Sequence, residues 1–162
     1  FGSERMGAPV VSYCRFDDAP LRTREPVLAP DVVLVQDPTL LGSDHPFAGV
    51  VTGGLVVVNT AADGAEVRAQ AGAEDVDARV VTVPATSIAL AHLGRPKPAA
   101  AMLAAYAACL PDITLDAVQA VFRERFPGAV GEANAAAAAQ AFEHVSARQA
   151  VAAPAGAGAD DA

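Results

Sequence analysis

The densest run of polar and conformationally free residues is Gly2-Ser3-Glu4-Arg5-Met6-Gly7-Ala8-Pro9. Its two glycines permit tight backbone geometry, and the Arg5 guanidinium is a planar donor fork suited to a carboxylate or a phosphate. A surface loop with Arg5 paired to a glutamate would have the same composition. Asn59-Thr60 is the second candidate, placed after a run of apolar residues. An amide there can touch a ligand or cap the next turn. No complete catalytic set accompanies either candidate. Ser3, Ser12, Ser43, Ser87 and Ser146 lack the GxSxG setting of a nucleophile elbow. His45, His92 and His144 are far apart in sequence, and the last two read as surface or interhelical hydrogen-bonding residues. Neither GxGxxG nor a P-loop occurs, so both usual phosphate cradles are missing from the sequence.

Thiol chemistry is equally sparse. Cys14 and Cys109 are the only cysteines and form no CxxC pair, whereas an iron–sulfur cluster takes four thiolates and a structural zinc takes four such ligands. They read as buried, reduced thiols. The net charge is −8, from 11 basic and 19 acidic residues, and Lys97 is the sole lysine. Arg5, Arg15, Arg22 and Arg24 crowd together but alternate with Glu4, Asp17, Asp18 and Glu25. That mixture suits a phosphorylated ligand or an ion-pairing interface; a nucleic-acid track needs unbroken positive charge. No secretory leader and no apolar run near 18 residues are visible. The expectation is a soluble, cytoplasmic protein without nucleic-acid or membrane partners.

The elements that would position these residues follow from the apolar pattern. PVVSYCRF (9–16) reads as a strand, Asp17-Asp18-Ala19-Pro20 as a turn, and Leu21 as the start of a short return. DVVLVQ (31–36), GLVVVN (54–59) and RVVTV (79–83) are short β-branched runs without alternation, the pattern of strands covered on both faces. Helices are expected over 86–93, closed by Gly94, over 99–109, from the N-cap Thr114 to Pro127-Gly128, and over about 132–149. Leu115, Val118, Val121, Phe122 and Phe126 set the apolar face of the third helix. The class is α/β: a Rossmann-like, three-layer domain over residues 1–150 with a mostly parallel sheet. Residues 151–162, rich in Ala and Gly, read as a flexible tail. Three central strands and an edge hairpin make a thin sheet for four helices.

Five segments resemble one family in the right order. FGSERMGAPVVSYCRFDDAPL is similar to the stretch after the first helix of the gamma component of 2-oxoacid:ferredoxin oxidoreductases, the pyruvate type in particular. DVVLVQDPTLL, GGLVVVNT, VPATSIALAHLGRP and ITLDAVQAVFRERFPGAVGEANAAAAAQAF, with Asn134, continue the resemblance to about residue 148. It implies oxidation of a 2-oxoacid, with coenzyme A as co-substrate, to acyl-CoA and carbon dioxide, electrons passing to ferredoxin. It also implies alpha, beta and iron–sulfur subunits as partners, holding the thiamine diphosphate and the clusters. Carried over by position, Gly2, Ser3, Glu4, Arg5 and Asn59 are the coenzyme A-binding candidates. The family's opening strand and its GxGGQG loop do not occur in this sequence, and Ala99 and Ala104 stand where the family often shows Asn and Gly. A scaffold subunit without ligand contact and a free-standing nucleotide-binding domain are the alternatives.

Overall fold

β-Branched runs bury both faces of a strand only when layers close over each side, and this arrangement is what the chain adopts. The computed structural model describes residues 9–152. Strands β1 (Val32–Val35), β2 (Gly54–Asn59) and β3 (Ala78–Val83) form one parallel sheet in that order. β2 is central, pairs Val33 with Val56 on one side and Val80 on the other, and is buried along its whole length. Alternate side chains of a strand point to opposite faces, so β2 feeds two cores. Val56 and Val58 join Leu41, Phe47 and Val67 on one face. Leu55 and Val57 join Ile88, Met102, Val118 and Val145 on the other. The Rossmann-like three-layer class is therefore the observed one.

The first layer consists of a 3-10 turn (Pro38–Gly42) and helix α1 (Gly64–Ala71). Sequence patterning missed α1 because Val67 is its one buried residue. Its signature is a capping box instead. Ala65 and Glu66 donate backbone N–H groups to Asp63 Oδ1 at 2.8 and 2.9 Å, and Asp63 N–H donates to Glu66 Oε2 at 3.1 Å.

The other layer holds α2 (Ala85–Leu93), α3 (Ala99–Ala107), α4 (Leu115–Arg125) and α5 (Ala129–Ala152). Thr114 caps α4 as expected, accepting from Ala117 N–H at 3.1 Å. Of the five apolar residues assigned to the α4 face, only Val118 is fully buried; Val121 and Phe126 face outward. α3 meets α5 through alanines: Ala100, Ala101, Ala104 and Ala105 share one core with Ala137, Ala138 and Ala141. Gly131 makes the α4–α5 corner possible, because a Cβ there would collide with the Phe126 carbonyl. α5 ends at Ala152, and residues 153–162 lie outside the described residues.

One expectation fails clearly. Residues 9–16 form no strand, and the return from Leu21 forms none either. Val10 is 80% exposed and Phe16 is 73% exposed. β-Propensity measures fit to a half-buried pleated surface, and among the described residues no ladder runs beside this segment. Cys14 is consequently exposed rather than buried, while Cys109 is half-buried and burial pushes its thiol pKa up. The turn at Asp17 does form, with Ala19 N–H donating to Asp17 Oδ1 at 2.7 Å.

Tyr106 supplies a test of the helical core. It is 6% exposed, and its hydroxyl donates to Asp112 Oδ2 at 2.6 Å. Burial first, and the Asp112 carboxylate second, push the phenol up to about 12. A raised folded-state pKa favours the protonated phenol in the native state. Its contribution is complete below the ordinary tyrosine value near ~10 and is lost as the pH rises to about 12. Tyr106→Phe is expected to cost about 1–2 kcal/mol at pH 7 in urea denaturation. The gap between the two proteins should narrow above pH ~10; a gap that is constant with pH would show that neither burial nor Asp112 raises the phenol in the folded chain.

Candidate functional site

Because the strands are parallel, their carboxyl ends share one edge of the sheet, the edge where open α/β sheets meet ligands. Gln36-Asp37 follows β1, Asn59-Thr60 closes β2, and Pro84-Ala85-Thr86 leads from β3 into α2.

Asn59 joins all three. It is 6% exposed, and its Nδ2 donates to the Gln36 carbonyl at 2.8 Å and to Thr86 Oγ1 at 2.7 Å. Its Oδ1 accepts from Thr86 N–H at 2.9 Å. Thr86 sits in the first turn of α2, where backbone N–H groups have no acceptor within the helix. Pro84 offers no side-chain cap, so the amide from the neighbouring strand does the capping. Both amide hydrogens of Asn59 are engaged inside the chain; its oxygen keeps one lone pair.

The rest of the rim is held as tightly. Thr60 N–H donates to the Val83 carbonyl at 3.0 Å. Asp37 Oδ1 accepts from the Thr39 hydroxyl at 2.7 Å and from Thr39 N–H at 3.0 Å, and these bonds hold its carboxyl below the usual carboxylate range. Gly2, Ser3, Glu4 and Arg5 lie outside the described residues, so Asn59 is the one predicted site residue the structure places.

The histidines stay apart. His92 Nε2 meets Gln140 Oε1 at 2.7 Å between α2 and α5, the interhelical role expected of it. His144 Nε2 is buried without a partner among the described residues, and burial, then Arg148, pull its pKa down. His45 sits in the loop before β2 with a left-handed φ of 47°. Asn134 spends its amide within α5, donating to the Val130 carbonyl at 2.8 Å. Among the described residues no three His, Cys, Asp or Glu side chains gather to hold a metal ion, and no helix is long and apolar enough to cross a membrane.

Residue types did not reveal where the arginines go. Arg15 grips the Glu25 and Pro26 carbonyls at 2.7 and 3.1 Å. Arg68 ties together the carbonyls of Ala73, Val76 and Ala78 beside β3, and Arg79 reaches the Cys109 carbonyl at 3.1 Å. Arg123–Glu132, at 3.0 Å, is the single ion pair among the described residues.

Fold and rim define a doubly covered parallel α/β domain whose strand ends are braced by the hydrogen bonds of one side-chain amide, that of Asn59. The family described as pyruvate ferredoxin/flavodoxin oxidoreductase matches residues 1–144. Pyruvate synthase subunit PorC of Methanothermobacter thermautotrophicus is 41% identical over 145 residues, 90% of this chain and 76% of that protein. The pyruvate/ketoisovalerate oxidoreductases common subunit gamma of Thermococcus kodakarensis is 42% identical over 142 residues, 88% of this chain and 76% of that protein. The crystal structure of pyruvate oxidoreductase subunit PORC from Thermotoga maritima superimposes with a TM-score of 0.65 at 34% identity, covering 72% of this chain. The match spans 64% of that solved subunit, a little under two thirds of its length. The chain belongs to the pyruvate ferredoxin/flavodoxin oxidoreductase family, and within it to the gamma (PorC) type.

Proposed function

We propose that this gamma component works in a pyruvate:ferredoxin oxidoreductase, supporting the coenzyme A-dependent oxidative decarboxylation of pyruvate to acyl-CoA and carbon dioxide. The observation that carries the reading is the family match across residues 1–144, with relatives named as pyruvate synthase subunits. A subunit common to a pyruvate and a ketoisovalerate enzyme, as the Thermococcus relative is named, cannot select the side chain of the oxoacid. What two such enzymes share is the acyl acceptor, the electron path and the assembly. That argument favours a role at coenzyme A, with Gly2, Ser3, Glu4, Arg5 and Asn59 as the contacts.

The remaining chemistry belongs to the alpha, beta and iron–sulfur subunits. Thiamine diphosphate there supplies the electron sink for decarboxylation, and clusters pass the electrons to ferredoxin. Two cysteines cannot supply the four thiolates of a cluster. The work of this polypeptide is to orient the nucleotide end of coenzyme A so that its thiol meets the acyl group. The working compartment is the cytoplasm. A scaffold role is the second reading, and the internal commitment of both Asn59 amide hydrogens favours it.

The purified chain alone is expected to give no turnover with pyruvate, coenzyme A and an artificial acceptor. Activity in a verified single-chain sample would overturn the division of labour. Tight binding of coenzyme A by the chain alone would instead identify a self-sufficient nucleotide-binding domain. Absent coenzyme A binding combined with tight association to a sister subunit would leave the scaffold role.

A further inference from the structure

One cavity has none of the strand-end residues in its walls. It is a cleft of about 370 Å³ between the outward pass and the return pass of the extended segment before β1. Its walls are Tyr13 and Arg15 on one pass and Leu21, Thr23, Arg24 and Glu25 on the other. Arg15 is the strut between the passes, since its Nη1 and Nη2 each hold a carbonyl of the return, those of Glu25 and Pro26. A guanidinium carries five N–H donors, so two bonds leave three free. Arg24 is exposed and makes no ion pair among the described residues. The wall thus bears two cations against the one carboxylate of Glu25, beside an aromatic and an aliphatic surface. An anion joined to a flat ring fits those walls, and the volume lies in the range of small-ligand pockets.

We propose that this cleft binds the phosphate-bearing end of a nucleotide, with Arg24 and Arg15 on the phosphate and Tyr13 against the base. The identity of that nucleotide as coenzyme A rests on the function proposed above. Arg15 is half-buried and held by the backbone, which orients its fork before a ligand arrives and reduces the ordering cost of binding. Arg24 supplies a second, exposed charge.

The test uses the assembled enzyme with Arg24→Gln, Tyr13→Leu and, as a control outside the cleft, Arg22→Gln. All three side chains are exposed, so the fold should survive, and equal melting temperatures would verify this. Arg24→Gln is expected to raise the apparent constant for coenzyme A about tenfold. Inhibition by adenosine 3′,5′-bisphosphate should weaken by the same factor. Pantetheine, which offers the thiol without the nucleotide, should be used equally well by parent and variant, and Tyr13→Leu should repeat the pattern more weakly. If Arg22→Gln has the same effect as Arg24→Gln, general charge is responsible and the cleft assignment falls. If Arg24→Gln leaves the constant unchanged while Arg5→Ala raises it, coenzyme A is held elsewhere on this chain; the cleft assignment falls and the coenzyme A reading stands. If neither variant moves it, both readings fall.

Discussion

Asn59→Leu is expected to be among the most damaging single substitutions in this chain. Leucine matches the size of asparagine and makes no hydrogen bond. It would strip the first turn of α2 of its cap, release the Gln36 carbonyl, and leave Thr86 Oγ1 without its donor. Hydrogen bonds of this kind contribute about 0.5–1.5 kcal/mol each, and an orphaned buried group costs about 1–3 kcal/mol. The combined loss should be roughly 2–4 kcal/mol of unfolding free energy, measured by urea denaturation. Asn59→Asp should fall between the two. A carboxylate can still accept from Thr86 N–H and from the Thr86 hydroxyl, and negative charge is favourable at a helix N-terminus. It would, however, face the Gln36 carbonyl with no donor. Equal midpoints for the parent and Asn59→Leu would show that water replaces these bonds without cost.

Arg5→Ala carries the second large expectation. If the fork of Arg5 holds a phosphate or carboxylate of coenzyme A, its loss should weaken coenzyme A binding in the assembled enzyme by roughly 1.5–3 kcal/mol, the scale of a charged hydrogen bond. At about 1.4 kcal/mol per decade, this is about tenfold or more. Pyruvate decarboxylation measured without coenzyme A should change little, since acyl transfer comes later. A structural ion pair would behave differently, loosening assembly and depressing every partial reaction together. Measuring the coenzyme A constant, the partial reaction and the mass of the complex on one preparation separates the cases. An intact complex with an unchanged constant would remove Arg5 from the ligand site.

The sheet was legible in the sequence because each strand carries a run of β-branched residues, Val32-Val33 in β1, Val56 to Val58 in β2 and Val80 to Val83 in β3. Gly54–Asn59 matches the predicted run, and Ala78–Val83 differs from its run by one residue. The segment 9–16 uses the same alphabet, yet strand formation is decided by a neighbour, and propensity cannot see one. α1 was lost for the opposite reason. Its apolar stripe is one valine wide, and its evidence sat in Asp63 and Glu66, outside any hydrophobic period. The site was legible only as alternatives. Whether Asn59 would cap or bind depended on Thr86, 27 residues away, coming within 2.7 Å through the crossover of α1. Residue type marks Arg15 as a charge for an anion or an ion pair, and cannot show that two of its donors hold the Glu25 and Pro26 carbonyls.

The alanine contact between α3 and α5 sets how two regions of this chain can change over time. Seven fully enclosed methyl groups leave no room for a further methylene, and overpacking a tight core costs about 1–3 kcal/mol. Glycine would fit, but each loses about 1 kcal/mol of helix propensity. Almost every mutation there leads downhill, so neither helix can drift without the other. The extended segment before β1 is free of that coupling: its side chains have few neighbours to satisfy. New binding preferences can therefore accumulate in the front of the molecule while the back remains fixed.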